Sequence, residues 1–314
     1  MKRVKKKSRN YKGWLLSHGA IVEFCILGAI VLDLSKIIMK KVPRPNLKSL
    51  SYDAKPIIQL NITITNTTEY QKIRDSIQSS FHRYAYQCNK FDYVQPLTGQ
   101  CRDVYSQRMT AVEAIDTLRI AGLEDEFKSA AILSLLPSKP KEISTGILSS
   151  RVLGSFLSAY GLTGEIRFLN RAIKIGEQLL HAFKGGLPRS FVSGDSSKHL
   201  LWGKYSPISE LGSTMLELTA LSELTHDGRF SRAVEQSIES IIKETKRNST
   251  SLFYPLRSGK KCKNKEGKGL SSLNMHFFEG LFRLHAYKPT DSTKFLINQF
   301  FTEFPGGTLR DSMA

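Results

Sequence analysis

Residues 110–123 have the sequence Thr-Ala-Val-Glu-Ala-Ile-Asp-Thr-Leu-Arg-Ile-Ala-Gly-Leu, and this stretch decides the fold class. Val112, Ile115 and Leu118 recur at the spacing of one helix face, which predicts an amphipathic helix. The same periodicity predicts further helices at 152–160, 168–183, 208–224, 229–246, 273–287 and 293–304. Strand-like alternation is scarce, so we predict an all-α domain.

One turn between helices occurs twice. Residues 162–168 (Leu-Thr-Gly-Glu-Ile-Arg-Phe) resemble residues 224–230 (Leu-Thr-His-Asp-Gly-Arg-Phe). In both, a helix ends, a short polar turn follows, and an Arg-Phe pair begins the next helix. Such a repeat indicates stacked helical hairpins, which close either as a solenoid or as a toroid. Periodicity does not separate these two architectures.

The net charge of +18 is concentrated in two segments. Residues 1–50 hold 12 basic and two acidic side chains, and residues 243–268 hold nine basic and two acidic ones. The rest of the chain is nearly neutral, with 25 basic and 24 acidic side chains. A nucleic-acid-binding domain would spread its basic residues over the folded surface, so we predict no nucleic-acid partner.

The N-terminal charge precedes an apolar run. A basic segment at 1–13 followed by apolar residues is typical of a signal anchor with a cytoplasmic tail, and we predict the anchor helix at 14–39. Glu23 lies near the middle of the run, where an ionised carboxylate opposes insertion by roughly 2.5–3.5 kcal/mol. A cleaved signal peptide and a basic, partly buried helix are the alternatives.

Residues 42–60 contain proline and lysine and lack helical periodicity, and the segment 40–75 is therefore interpreted as a lumenal stalk. Asn61, Asn66 and Asn248 each begin an Asn-x-Ser/Thr sequon, and all three lie beyond the proposed anchor. This order favours a lumenal body formed by residues 76–314.

The four cysteines suggest one disulfide. Cys88 and Cys101 are 13 residues apart in a loop-like segment, so a bridge between them is plausible in an oxidising lumen. Cys25 lies in the apolar run and Cys262 in the basic segment. No cysteine or histidine cluster has zinc-ligand spacing, and we predict no metal ligands in this chain.

Carboxylates in apolar helical contexts are the candidates for chemistry. No phosphate-binding glycine loop, HExxH or GxSxG motif occurs. Glu210 and Glu217 are seven residues apart, which predicts one shared helix face. The other candidates are Glu113, Asp116 and Glu279. Paired carboxylates on a helical toroid suggest glycoside hydrolysis, although a solvated helix face or an arginine partner explains any one of them equally well.

Four segments resemble class I α-1,2-mannosidases, glycoside hydrolase family 47, in the family's order. They are the stretch 110–123, Arg-Val-Leu-Gly-Ser-Phe-Leu-Ser-Ala-Tyr at 151–160, the Ser-Glu, Leu-Glu-Leu and Leu-Ser-Glu-Leu-Thr groups within 209–225, and Phe-Phe-Glu-Gly-Leu at 277–281. The resemblance implies helical hairpins forming part of an (α/α)7 toroid. It also implies calcium dependence, inversion of configuration and high-mannose N-glycans or glycoproteins as substrates.

The resemblance also assigns roles to single residues. Arg151 and Glu210 match positions that contact the sugar, so they are the predicted substrate-binding residues. Glu217, Glu279 and Asp116 are further candidates, whose role is structural as readily as functional.

Two positions depart from the family pattern. The family has a glutamate four residues before the motif arginine, and here the residue four before Arg151 is Ile147. The family has an aspartate four residues before the motif glutamate, and here the residue four before Glu279 is Met275. Neither side chain transfers a proton, so no catalytic residue is assigned. The region that binds calcium in the family is also expected to lie outside this chain, which makes 76–314 a partial barrel.

These observations predict a family homologue that trims or recognises high-mannose N-glycans. It is placed in the endoplasmic reticulum or Golgi membrane, as a single-pass type II protein with its body in the lumen. The resemblance leaves open whether the chain is an active mannosidase. The alternatives are a non-catalytic glycan- or glycoprotein-binding quality-control protein, akin to the degradation-enhancing relatives, and a truncated, decaying family member.

Overall fold

The computed structural model of the protein describes residues 67–137, 141–183, 186–198, 207–248 and 274–303. Ten helical segments carry the architecture of these ranges. In chain order they are α1 (Thr68–Gln87), α2 (Met109–Ile120), α3 (Glu124–Leu135), α4 (145–163), α5 (Ile166–Leu180), α6 (Ile208–Gly212), α7 (Met215–Thr225), α8 (Gly228–Asn248), α9 (Met275–Tyr287) and α10 (Asp291–Glu303).

The helices pack as successive hairpins, as the sequence predicts. Four hairpins pair α2 with α3, α4 with α5, α7 with α8, and α9 with α10. The periodicity of α5 is confirmed: Phe168, Ala172, Ile175 and Leu179 are all buried along one face of this helix. Burying side chains of the size of Phe168 or Leu179 contributes about 1.5–3 kcal/mol each, so this face anchors the core.

The repeated turn has the same hydrogen bonds at both sites. The hydroxyls of Thr163 and Thr225 each donate to the carbonyl four residues earlier, at 2.7 Å, and each accepts from the backbone N–H two residues later. Gly164 and His226 then take left-handed conformations, with φ of 71° and 57°. A left-handed residue at the end of a helix reverses the chain, which explains why each copy of the turn closes a hairpin.

Helix α4 is not uniform. It is α-helical over Thr145–Ile147, π-helical over Leu148–Leu153 and α-helical again over Gly154–Thr163. The π-helical turns fall on the segment that carries the motif arginine, Arg151. Such turns contain one residue more than α-helical ones, and they occur frequently at functional sites.

Two small sheets accompany the helices, so the prediction of an all-α fold holds for the main architecture only. Strands β1 (Tyr93–Val94) and β2 (Cys101–Arg102) form an antiparallel pair. Strands β3 (Ile143–Ser144), β4 (Phe191–Ser193) and β5 (Ser196–Lys198) form an antiparallel sheet in that order. Strands of two or three residues are too short for periodicity to reveal them.

The predicted disulfide involves a residue of the first sheet, since Cys101 belongs to strand β2. Cys88 and Cys101 are bonded in the structure, across a separation of 13 residues. Buried Asp92 lies within the same loop, and its carboxylate accepts hydrogen bonds from five backbone N–H groups. Periodicity gives no indication of this carboxylate, because it belongs to no regular element.

Two predicted boundaries are wrong. Helix α1 begins at Thr68, inside the segment 40–75 that we interpreted as a stalk, because the side chain of Thr67 caps the helix by accepting a hydrogen bond from the N–H of Tyr70. The continuous helix expected at 208–224 is instead two helices, α6 and α7, because the chain turns at 213–214.

The predicted anchor at 14–39 lies outside the described residues, as do Cys25, Cys262, Asn61 and Asn66. Within the described ranges, no helix has the length and hydropathy that crossing a bilayer requires. Asn248, the third sequon asparagine, is the last residue of α8.

Candidate functional site

One cleft brings together residues from two of the four motif segments, 209–225 and 277–281, with residues that directly precede the segment 151–160. It has a volume of about 630 Å³ and lies among the start of α4, helices α6 and α7, and helix α9. Its charged and titratable lining residues are Glu210, Glu217, His276, Glu279 and Arg283. Most of the other lining residues have small side chains, such as Gly146 and several serines, and Ile147 also lines the cleft. A cavity of this size with a few polar groups is typical of a small-molecule site.

The cleft depends on a close crossing between α6 and α9. A Cβ placed on Gly212 would lie 2.0 Å from the carbonyl oxygen of His276, and one placed on Gly280 would lie 2.1 Å from the carbonyl oxygen of Gly212. The two backbones are therefore in direct contact, which only glycine permits. This crossing fixes the wall of the cleft on which Glu210 and His276 lie.

Glu210 is the most perturbed carboxylate of the cleft. Burial raises the pKa of its side chain to about 7, while the backbone amide of Gly146 and the hydroxyl of Ser190 partly oppose this rise. The carboxylate lies beside Gly146, with Oε2 3.5 Å from where a Cβ on that glycine would be. A carboxyl group of this kind is half-protonated near neutral pH, which is the property of a proton-transfer group.

Glu217 shares the cleft from a different helix. Burial raises the pKa of its carboxyl, Arg283 lowers it and Glu279 raises it. We predicted one shared helix face for Glu210 and Glu217, and this is wrong, because Glu210 is on α6 and Glu217 is on α7. The turn between the two helices nevertheless leaves both side chains on the cleft.

Glu279 links the two basic groups of α9. Its Oε1 accepts from Nη2 of Arg283 at 2.6 Å, and its Oε2 lies 3.4 Å from Nδ1 of His276. These three side chains occupy successive turns of one exposed helix face at the edge of the cleft. Sequence reasoning singled out Glu279 only, although the spacing of three and four residues is a visible signal for the other two.

The two departures from the motifs lie at or near the cleft. Ile147 lines it and packs against the core, and Met275 is the first residue of α9. Neither residue offers a proton. Glu210 Oε2 lies 3.5 Å from where a Cβ on Gly146 would be, and His276 follows Met275 in the sequence.

Arg151 and Asp116 do not line the cleft. Nη2 of Arg151 donates to Oε2 of Glu113 at 2.8 Å, and this hydrogen bond holds the pKa of the guanidinium above its usual range. Asp116 accepts hydrogen bonds from the backbone N–H of Thr117 and from the hydroxyl of Ser158. The structure therefore groups Glu210, Glu217 and Glu279, and gives the other two candidates intramolecular partners.

The described ranges do not supply a calcium site. In them, no three His, Cys, Asp or Glu side chains converge in a way that would hold a metal ion. The carboxylates of the cleft are instead partnered by arginine and histidine or buried singly.

The buried carboxyl of Glu210 predicts a pH-dependent stability. Its folded pKa of about 7 is above its ordinary value of 4.5, so the folded state keeps the proton where the unfolded chain has released it. The contribution of Glu210 to stability therefore falls as pH rises from about 4.5 to about 7. Replacing Glu210 by glutamine should leave stability unchanged near pH 4.5 and raise it by about 3 kcal/mol above pH 7.

Urea unfolding of the wild type and of Glu210→Gln at pH 5 and pH 8 measures this difference. Glu239→Gln is the matched control, since Glu239 is an exposed residue of α8 paired only with Lys243. An equal pH dependence in the wild type and in Glu210→Gln would contradict the burial argument.

Comparisons with known proteins agree on one family. The sequence model of Glycosyl hydrolase family 47 matches residues 76–301. The human endoplasmic reticulum mannosyl-oligosaccharide 1,2-alpha-mannosidase is 33% identical over 157 residues, which are 48% of this chain and 22% of the human protein. The Arabidopsis thaliana mannosyl-oligosaccharide 1,2-alpha-mannosidase MNS1 is 31% identical over 191 residues, 57% of this chain and 33% of that protein.

A solved structure shares the fold. The alpha-1,2-mannosidase from Trichoderma reesei superposes with a TM-score of 0.62 at 18% identity, over 75% of this chain and 55% of that one. The aligned segment thus spans about half of that structure, and between a fifth and a third of the two sequence relatives.

Proposed function

Because the chain belongs to glycosyl hydrolase family 47, we propose that its cleft binds the terminal mannose residues of high-mannose N-glycans. The observation that carries the proposal is the meeting of Glu210, Glu217 and Glu279 around one cleft. These glutamates come from two separate motif segments, 209–225 for Glu210 and Glu217, and 277–281 for Glu279. A chain that had kept the motifs only for packing would not need to direct three carboxylates into one cavity.

The chemistry of the lining suits a sugar. Carboxylates accept hydrogen bonds from sugar hydroxyls, while the guanidinium of Arg283 supplies donors. Hydrogen bonds to charged groups are the stronger ones, so those made by the guanidinium of Arg283 and by any ionised carboxylate contribute most to the orientation of the sugar. The names of the relatives describe mannosyl-oligosaccharide mannosidases, which points to the same class of ligand.

We propose recognition as the primary activity, because the two motif positions that should carry acids hold Ile147 and Met275. A glycosidase of this type needs one carboxylic acid on the leaving oxygen and one base on water. The proposed function of the cleft is therefore binding of the glycan and not its rapid trimming.

The proposed setting is the lumen of the endoplasmic reticulum or the Golgi, with a single N-terminal type II anchor at 14–39. The basic residues ahead of the apolar run, the sequons beyond it and the Cys88–Cys101 disulfide support this placement. Glycoproteins carrying high-mannose glycans are the proposed partners.

Isothermal titration calorimetry of the purified full chain with a high-mannose oligosaccharide tests the proposal. We expect binding by the wild type and none by Ser150→Trp, since Ser150 is an exposed residue of α4 at the rim of the cleft, where an indole blocks entry. Ser76→Trp is the matched control, because Ser76 is an exposed helical serine with the same 2.7 Å hydrogen bond to the carbonyl four residues earlier.

The control should bind like the wild type. Absence of binding by the wild type, or equal binding by Ser150→Trp, would refute the assignment of the cleft.

A further inference from the structure

We propose that the end of α1 and the β1–β2 hairpin form a surface that docks on lipid bilayers with anionic headgroups. This hairpin surface consists of Arg83, Tyr86, Lys90, Phe91 and Leu97. None of these residues lines the cleft, so the proposal goes beyond glycan binding and does not depend on it.

The apolar side chains of the hairpin surface face solvent. Leu97 is 100% exposed in the hairpin turn, Tyr86 is 83% exposed on the last turn of α1, and Phe91 is 40% exposed shortly after it. One exposed apolar residue is ordinary, but several on one surface indicate an interaction site. Leucine and aromatic side chains insert at the boundary between headgroups and acyl chains, and tyrosine is enriched at that depth.

Arg83 connects the apolar residue of the helix to that of the turn. Its Nη2 lies 3.3 Å from where a Cβ on Gly99 would be, so the guanidinium lies against the turn that carries Leu97. Tyr86 follows Arg83 by three residues, which makes the two side chains neighbours on the surface of α1. The arginine therefore borders both Tyr86 and the hairpin turn.

Further bonds hold the helix end and the hairpin together as one unit. The disulfide joins Cys88, the residue after α1, to Cys101 of strand β2. The hydroxyl of Tyr84 donates to the carbonyl of Phe91 at 2.9 Å, and Tyr84 is itself buried. Docking therefore does not have to order a flexible loop, which would lower the affinity.

The charge of the segment favours a bilayer over other apolar partners. Its two acidic residues are engaged inside the protein, Asp92 by backbone N–H groups and Asp103 by Lys141 at 2.6 Å. The exposed charged residues within 83–104 are all basic, and none of them forms a salt bridge in the ranges that the structure describes. They are Arg83, Lys90 and Arg102. Cations beside apolar residues complement anionic headgroups, and each one near the bilayer strengthens binding by about fivefold.

Tryptophan fluorescence at the tip of the hairpin tests the proposal. The full chain carrying Leu97→Trp is mixed with vesicles of equimolar phosphatidylcholine and phosphatidylserine whose acyl chains are brominated. The wild-type signal, which comes from Trp14 and Trp202, is subtracted. We expect the emission of the introduced tryptophan to move to shorter wavelength and to be quenched by bromine, because the indole enters the acyl region. The probe reports on position 97 whether or not another segment also binds the vesicle.

Ile166→Trp is the matched control at the opposite end of the helices. Arg151 bonds to Glu113, and further along both helices Ser158 bonds to Asp116, so α2 and α4 run in the same direction. The hairpin surface precedes the start of α2, whereas Ile166 follows the end of α4. Ile166 is also exposed, and a tryptophan there should keep its emission wavelength and escape quenching.

Replacing Arg83 and Lys90 together by glutamine in the Leu97→Trp background tests the contribution of charge. The ratio of docked to undocked chains, read from the quenched fraction, should fall by about 25-fold. The melting temperature should stay unchanged, because both side chains are exposed. Raising the salt concentration should weaken docking of the Leu97→Trp chain in the same direction, since salt screens exposed charges.

The outcomes are distinct. Quenching at position 97 without quenching at position 166, together with its loss in the double glutamine variant, supports the proposal. Absence of quenching at position 97, or equal quenching at both positions, overturns it. Equal quenching in vesicles of phosphatidylcholine alone overturns the role of anionic headgroups. A shift to shorter wavelength that grows with protein concentration in the absence of vesicles would show that a second copy of the chain covers the surface, which also overturns the proposal.

Discussion

Replacing Gly280 by alanine is expected to unfold the protein or to lower its melting temperature by roughly 10 °C or more. The new Cβ would lie 2.1 Å from the carbonyl oxygen of Gly212 and 2.7 Å from its carbonyl carbon. Overpacking typically costs about 1–3 kcal/mol when side chains can adjust. Here the obstacle is backbone, so helices α6 and α9 have to separate and the cost exceeds that range.

Gly154→Ala is the matched control for this substitution. Gly154 is also helical, but a Cβ there would have its nearest contacts at 3.8 and 3.9 Å. Alanine at this position should be neutral or stabilise the helix by up to about 1 kcal/mol. Thermal unfolding followed by circular dichroism compares the two variants, and equal melting temperatures would show that the α6–α9 crossing is not as close as described.

Replacing Asp92 by alanine is expected to destabilise the protein by about 3–5 kcal/mol. The Asp92 carboxylate is fully buried and accepts from the backbone N–H groups of 104–107 and 109. Removing it leaves the two buried N–H groups, those of Gln107 and Met109, without this acceptor, each at a cost of about 1–3 kcal/mol, and it exposes the part-buried donors to water.

Asp92→Asn should be intermediate, because the amide keeps one acceptor oxygen. Asp75→Asn is the control, since Asp75 is an exposed residue of α1 that accepts only from Gln71. Urea denaturation at pH 7 gives the three free energies of unfolding. If Asp92→Ala costs no more than Asp75→Asn, the loop is not held by this carboxylate.

Helical periodicity predicted the hairpins well, because their buried faces are long enough to repeat. The face of α5 and the repeated turn at 162–168 and 224–230 are examples. Helices α1 and α3 were not predicted. The mean hydropathy of α1 is low, with only Phe81 and Tyr84 buried in 20 residues.

The cleft was only partly predictable. Motif resemblance selected Glu210, Glu217 and Glu279, which the structure brings together. It also selected Arg151, which the structure pairs with Glu113 instead. The Gly212–Gly280 contact joins residues 68 positions apart, and only a packed structure reveals such a contact.

The π-helical segment of α4 changes which residue lies one helical turn before Arg151. Counting four residues back from Arg151 gives Ile147, but a π-helical turn spans five residues and leads to Gly146. An alignment without a gap and a superposition would therefore disagree by one position at this site. Gly146 and Ile147 both line the cleft, and neither carries an ionisable side chain. The family's acid is therefore absent whichever of the two residues is taken as its counterpart. A homologue that lacks one residue within 148–153 would regain a regular helix, and its counterpart of Gly146 would then stand four residues before the arginine, on the same helix face as Gly146 here.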